Sequence, residues 1–167
     1  LVSAVLPFML IVSFLLYPVV NYVSRYFTKK TLIQFSFVVF SFVFLFIYFL
    51  GKLPINPALQ AYLLCSFAGI PVAFLGILPN LVLADIAELD GLETGKKKEG
   101  MYFAARTMLM KAGQTLGLLI FAGLLILGKD HTNDLGIRLS GFAGFILFGF
   151  AIVIFYFYPE SETKAKL

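Results

Sequence analysis

Charged side chains are scarce in this chain, and their scarcity is the first constraint on its class. Only 13% of the residues are Asp, Glu, Lys or Arg, whereas a soluble domain has about 25%. Hydrophobic residues make up 60% and lie in long runs, a pattern that indicates lipid-facing helices and excludes an ordinary water-soluble fold. In a membrane protein the distribution of the net charge of +4 matters more than its sum, so we expect no nucleic-acid partner.

The residues that build catalytic and metal sites are also scarce. The single cysteine, Cys65, excludes an internal disulfide. The single histidine, His131, has no cysteine or second histidine at metal-ligand spacing. No serine lies between nucleophile-elbow glycines, and no glycine-rich phosphate loop occurs. The sequence therefore predicts no catalytic residue, no metal site and no cofactor, and it does not indicate an enzyme.

Five apolar runs predict five transmembrane helices, because about 20 residues of helix cross a bilayer. We expect the helices at residues 2–23, 32–50, 59–84, 101–128 and 138–158. A charged loop at 85–100 separates the third run from the fourth. The fold class is all-α integral membrane, in the cell membrane. The chain starts inside an apolar run, without a basic leader or an initiator Met, so we expect it to be part of a longer protein.

Basic residues are distributed unequally between the two sides of these helices. One side carries eight, namely Arg25, Lys29, Lys30, Lys96, Lys97, Lys98, Lys164 and Lys166. The other side carries three, namely Lys52, Lys129 and Arg138. The side richer in Lys and Arg is normally cytoplasmic. We therefore expect the loops at 24–31 and 85–100 and the C-terminus to be cytoplasmic.

Lys111 is the most informative single residue, because it lies within the fourth apolar run. Counted from residue 101, it is about 15 Å inside the helix, and a charge at that depth costs at least about 2.5 kcal/mol on insertion scales. Thr107, Gln114 and Thr115 lie on the same helix face. We interpret this polar stripe as a site for substrate or coupling ion; a structural ion pair between helices is the alternative.

A second set of charges lies near the loop at 85–100. Asp85 and Glu88 share a helix face at three-residue spacing, and Asp90 follows them. Arg106 can reach the headgroups or pair with one of these acids. We interpret the four residues as a cytoplasmic gate, with a solvated turn as the alternative.

Glycines recur within the fourth and fifth apolar runs. Gly113 and Gly117 form a GxxxG pattern, and Gly141, Gly144 and Gly149 are spaced along the last run. Both groups predict close packing between helices.

The stretch from Asp85 to Lys111 resembles the glycoside–pentoside–hexuronide:cation symporters, a melibiose-permease-like branch of the major facilitator superfamily. The family pattern reads roughly D-x-x-D-Y-x-x-x-x-T-G-K-R-x-E-G, with a lysine about eleven residues later. It is matched here by Asp85, Glu88, Thr94, Gly95, Lys96, Lys97, Glu99, Gly100 and Lys111. Three positions depart from the pattern: Glu88 stands in place of the second aspartate, Leu89 in place of the tyrosine and Lys97 in place of the arginine. Residues 22–32 are similar to the family's loop between helices eight and nine.

The resemblance implies that the five helices are the C-terminal part of a 12-helix major-facilitator fold, in a transporter of the cell (inner) membrane. It further implies symport of a sugar or glycoside with Na+ or H+. Lys111 would then lie near an acidic cation site on the N-terminal helices of the same transporter. Those helices, membrane lipids and a sugar-like substrate are the expected partners. A different cargo, such as a lysolipid, and a non-transporting assembly protein are the alternatives.

Overall fold

The computed structural model describes residues 2–49, 56–128 and 134–158 and contains five α-helices in these ranges. They are α1 (Val2–Val23), α2 (Lys29–Phe49), α3 (Pro57–Thr94), α4 (Glu99–Leu125) and α5 (Leu135–Tyr156). No strand occurs within the described ranges. The expected all-α fold is confirmed.

Four of the helices are long and apolar enough to cross a membrane, namely α2, α3, α4 and α5. In α1 the apolar stretch is shorter and covers Pro7–Val23. The whole helix has 22 residues, which is about 33 Å at 1.5 Å per residue. That length matches a hydrocarbon core about 30 Å thick.

Helix α3 is central to the arrangement because it packs against both α1 and α2. The buried cluster at this junction contains Val20 of α1, Leu32 and Ile33 of α2, and Phe74 and Leu78 of α3. Helix α2 also packs extensively against α5, and α4 makes smaller contacts with α5 and α3. The core is therefore formed by α1, α2 and α3, and α4 lies at its edge.

The expected end of the third helix is wrong. We expected a helix at 59–84 and a loop at 85–100, but α3 continues to Thr94. Gly95 ends it in the left-handed conformation (φ 68°), and its N–H donates to the carbonyl of Gly91. A charged segment can stay helical once it has left the lipid, since Ala, Leu and Glu are good helix formers. The loop therefore shrinks to residues 95–98, and α3 extends about 14 Å beyond Asp85.

Candidate functional site

Helix α4 carries the polar stripe, and it has no buried residue. Thr107, Lys111, Gln114 and Thr115 are all exposed within the described part of the chain. At 100° per residue the four side chains fall within about 100° of the helix circumference. The structure therefore places the predicted binding residues together on one open face.

Hydrogen bonds hold the two threonine hydroxyls of this face in place. The Thr107 hydroxyl donates to the carbonyl of Phe103 at 2.8 Å, and the Thr115 hydroxyl donates to the carbonyl of Lys111 at 3.0 Å. Each hydroxyl oxygen keeps lone pairs that can accept a hydrogen bond or bind a cation. The Lys111 ammonium and the Gln114 amide have no hydrogen-bond partner among the described residues. The stripe thus offers donors and acceptors of the kind that bind hydroxyl groups or small cations.

The longer α3 changes the expected depth of Lys111. Because α3 and α4 meet in a short turn at 95–98, the first turns of α4 run beside the extension of α3 beyond Asp85. The expected depth of about 15 Å counts from residue 101, so it includes turns of α4 that lie beside this extension. The depth of Lys111 in the membrane stays a prediction.

Two acids of the expected gate form ion pairs with lysines from different parts of the chain. Asp85 of α3 pairs with Lys29 at the start of α2, with 2.6 Å between carboxylate oxygen and ammonium nitrogen. Asp90 pairs with Lys98 of the α3–α4 turn at 3.1 Å. All four side chains are partly exposed, so each pair is worth at most about 1 kcal/mol. Sequence reasoning missed Lys29 as a gate partner, since 56 residues separate it from Asp85.

Glu88 and Arg106 do not join these pairs. Glu88 is exposed and, with Lys97, Glu99 and Phe103, lines a cleft of about 450 Å³ between the end of α3 and the start of α4. Arg106 is half-buried and has none of the three acids within ion-pairing distance. The alternative in which Arg106 pairs with Asp85, Glu88 or Asp90 is therefore wrong for this conformation, because lysines already hold two of those acids.

The described residues contain no group of three or more His, Cys, Asp or Glu side chains that could hold a metal ion. His131 lies outside the described residues.

Comparisons with known proteins agree with the sequence resemblance. The family model described as MFS/sugar transport protein matches residues 1–159. A similar protein is an uncharacterized symporter of Synechocystis sp., with 39% identity over 59 residues. The aligned part covers 35% of this chain and 11% of the Synechocystis protein. No solved structure matches the chain.

The family match covers almost the whole chain, and the apolar helices described above are those of a multi-pass membrane protein. The expected membership is thereby confirmed, in agreement with a C-terminal position in the major-facilitator fold. The chain belongs to the MFS/sugar transport protein family.

Proposed function

We propose that the protein is a secondary active transporter that couples movement of a sugar or glycoside to Na+ or H+. The observation that carries this proposal is the open polar face of α4, centred on Lys111, in a helix without a buried residue. An ammonium within an apolar helix needs a polar cavity or an acid nearby. The family membership favours a cavity shared with the other helices of the transporter.

Lys111 is the charged centre of the proposed site. Its ammonium can donate to a substrate hydroxyl or pair with an acid of the cation site, and the second role would couple the two cargoes. Thr107, Gln114 and Thr115 supply acceptors and donors beside it. Sites of this kind lie between the two halves of a transporter, and alternating access exposes them to one side at a time.

The lysine-rich ends of the helices form the proposed gate. The pairs Lys29–Asp85 and Lys98–Asp90 connect α2, α3 and the following turn in this conformation. Glu88, which lines its cleft, and Arg106 form no ion pair with a described residue and can bind across to another part of the transporter. Because exposed ion pairs are weak, they can break and reform as the gate opens. The positive-inside rule places this gate on the cytoplasmic side of the cell membrane.

Gradient-driven uptake in proteoliposomes tests the proposal. The purified transporter should accumulate a labelled sugar or glycoside under an inward Na+ or H+ gradient. Lys111→Ala should lower coupled uptake about 10- to 100-fold, because a charge-assisted contact is worth about 1.5–3 kcal/mol. Lys96→Ala, which removes an exposed lysine of the α3–α4 turn, is the matched control and should transport normally.

Normal coupled uptake by Lys111→Ala would contradict the assigned site. Gradient-driven uptake of a lysolipid but of no sugar would contradict the proposed sugar or glycoside cargo. It would leave the proposed coupling to Na+ or H+ unaffected. No gradient-driven uptake of any solute would favour the assembly-protein alternative.

A further inference from the structure

Some basic residues on the lysine-rich side form ion pairs or hydrogen bonds with other residues of the chain, and Arg25 does not. Lys29 pairs with Asp85, and Lys98 pairs with Asp90. The Lys30 ammonium donates to two carbonyls at the end of α5 at 2.6 and 2.7 Å. The Arg25 side chain, in the turn between α1 and α2, is exposed and has no ion-pair or hydrogen-bond partner among the described residues.

Exposed aromatic residues precede and follow Arg25 in the sequence. Tyr22 is 62% exposed, Tyr26 is 70% exposed and Phe27 is 57% exposed. The two tyrosine rings lie 5.2 Å apart, and the hydroxyl of Tyr26 donates to that of Tyr22 at 3.4 Å. Aromatic residues with polar tips are typical of the boundary between lipid and water, where one end is apolar and the other is hydrated.

The helix ends fix the height of Arg25 relative to the membrane. Helix α1 has 22 residues and ends at Val23, so it crosses a hydrocarbon core of about 30 Å and little more. The contact between Lys29 and Asp85 and that between Lys30 and the end of α5 bring α2, α3 and α5 to a common level beside the turn that follows α1. Arg25 follows Val23 by two residues and therefore lies at the level of the lipid headgroups.

The exposed lysines of the α3–α4 turn lie at a different height. Helix α3 continues about 14 Å beyond Asp85 before it ends at Thr94. Lys96 and Lys97 follow that end, so they lie more than one Debye length, about 8 Å in physiological salt, beyond the headgroup level. Their attraction to lipid phosphates is largely screened, and that of Arg25 is not.

We propose that Arg25, with the hydroxyl of Tyr22, binds the phosphate of an anionic phospholipid such as phosphatidylglycerol. A guanidinium binds phosphate through two parallel N–H donors, and the Tyr22 hydroxyl donates from one side while it accepts the hydrogen bond of Tyr26. Phe27 packs against the glycerol and upper acyl region. This site is separate from the transport site and does not depend on the transported solute.

Native mass spectrometry of the purified transporter tests the site with dioleoyl phosphatidylglycerol, and dioleoyl phosphatidylcholine is the neutral comparison. The wild type should retain phosphatidylglycerol in preference to phosphatidylcholine. Arg25→Gln should weaken the phosphatidylglycerol adduct about fivefold, the effect of one basic residue at an anionic surface. Arg25→Lys should lie between the two, because it keeps the charge and loses the paired donors. Lys97→Gln, the matched control, should bind like the wild type.

Equal retention of phosphatidylglycerol by the wild type and Arg25→Gln would overturn the proposal. It would also be overturned if Lys97→Gln lost as much affinity as Arg25→Gln, because the effect would then be one of total charge. Thermal unfolding in phosphatidylcholine alone should be unchanged by Arg25→Gln, since the side chain forms no hydrogen bond or ion pair with a described residue. A fall in that stability would contradict the assignment of Arg25 to lipid binding.

Discussion

Helices α5 and α4 both contain spaced glycines within apolar sequence, yet they are packed in opposite ways. In α5, a Cβ atom added at Gly141 would lie 2.8 Å from the carbonyl oxygen of Phe44, and one at Gly144 would meet the Phe44 ring. In α4, a Cβ atom at Gly113 or Gly117 would meet nothing within 4 Å among the described residues. Gly141 and Gly144 permit close packing of α5 on α2, whereas Gly113 and Gly117 leave the surface of α4 open. The close packing expected at Gly149 is not observed, since a Cβ atom there would also meet nothing within 4 Å among the described residues.

The rest of the α2–α5 interface is also closely packed and hydrogen-bonded. Phe148 of α5 stacks on Phe40 and Phe44 of α2, with ring centroids 5.0 and 5.4 Å apart. Lys30 near the start of α2 donates to carbonyls at the end of α5, and Arg138 near the start of α5 donates to the carbonyl of Tyr48 near the end of α2. Each helix therefore caps the other's C-terminal end. The comparison indicates that α2 and α5 form a scaffold, while α4 exposes the face that carries the proposed binding residues.

The largest expected effects on stability come from substitutions at glycines of α5 and α4, and the two effects have opposite signs. Gly141→Ala should lower the free energy of unfolding by about 1–3 kcal/mol, because the new methyl group overlaps the backbone of α2. Gly117→Ala should instead raise it by up to about 1 kcal/mol, because Ala is the better helix former and the site has room. Thermal unfolding of the two variants in the same detergent measures both. Equal destabilisation would show that α4 is as tightly packed as α5.

An intermediate effect is expected from the helix-end contacts of the scaffold. Lys30→Gln removes the charge from two hydrogen bonds and from a cation–π contact with Tyr156. We expect a loss of about 1–2 kcal/mol in unfolding free energy, measured by thermal unfolding, since a hydrogen bond to a charged group is worth about 1.5–3 kcal/mol and glutamine keeps part of it. Lys96→Gln in the exposed turn is the control and should change stability little. A variant Lys30→Gln as stable as the control would show that the Lys30 contacts do not contribute to holding α5 on α2.

The smallest effect is expected at the gate. Asp85→Asn and Lys29→Gln should each lower stability by less than about 1 kcal/mol, because the pair is partly exposed. The double variant should cost no more than either single one, since both changes remove the same contact. A double-mutant cycle by thermal unfolding measures this coupling. Additive losses would show that the two side chains act independently.

Much of the fold was predictable from hydropathy alone, because apolar runs of bilayer length have few alternatives to helix. The end of α3 was not. The segment at 85–94 combines charges with Gly91, which favours a loop on composition, yet Gly95 is where the helix ends. The composition of a segment indicates where a helix leaves the lipid, but it does not indicate where the helix ends.

The candidate site was predictable to a similar degree. The polar stripe around Lys111 follows from helical spacing within one run, and the structure keeps its four residues on one face. The partner of Asp85 could not be found in this way, because Lys29 comes from another helix. The open side of α4 could not be foreseen either, since the GxxxG pattern of Gly113 and Gly117 predicts close packing that these residues do not make within the described chain.

The central claim is that the polar face of α4 lines a water-filled cavity, and cysteine accessibility tests it most directly. In a transporter with Cys65→Ser, single cysteines at Thr107, Lys111 and Thr115 are compared with one at Phe150, an exposed position of α5. The account predicts that a membrane-impermeant thiol reagent labels the three α4 positions, that transported solute slows this labelling, and that position 150 stays unlabelled in lipid. Unlabelled cysteines at all three α4 positions would contradict it, because the face would then contact lipid or a permanent partner helix.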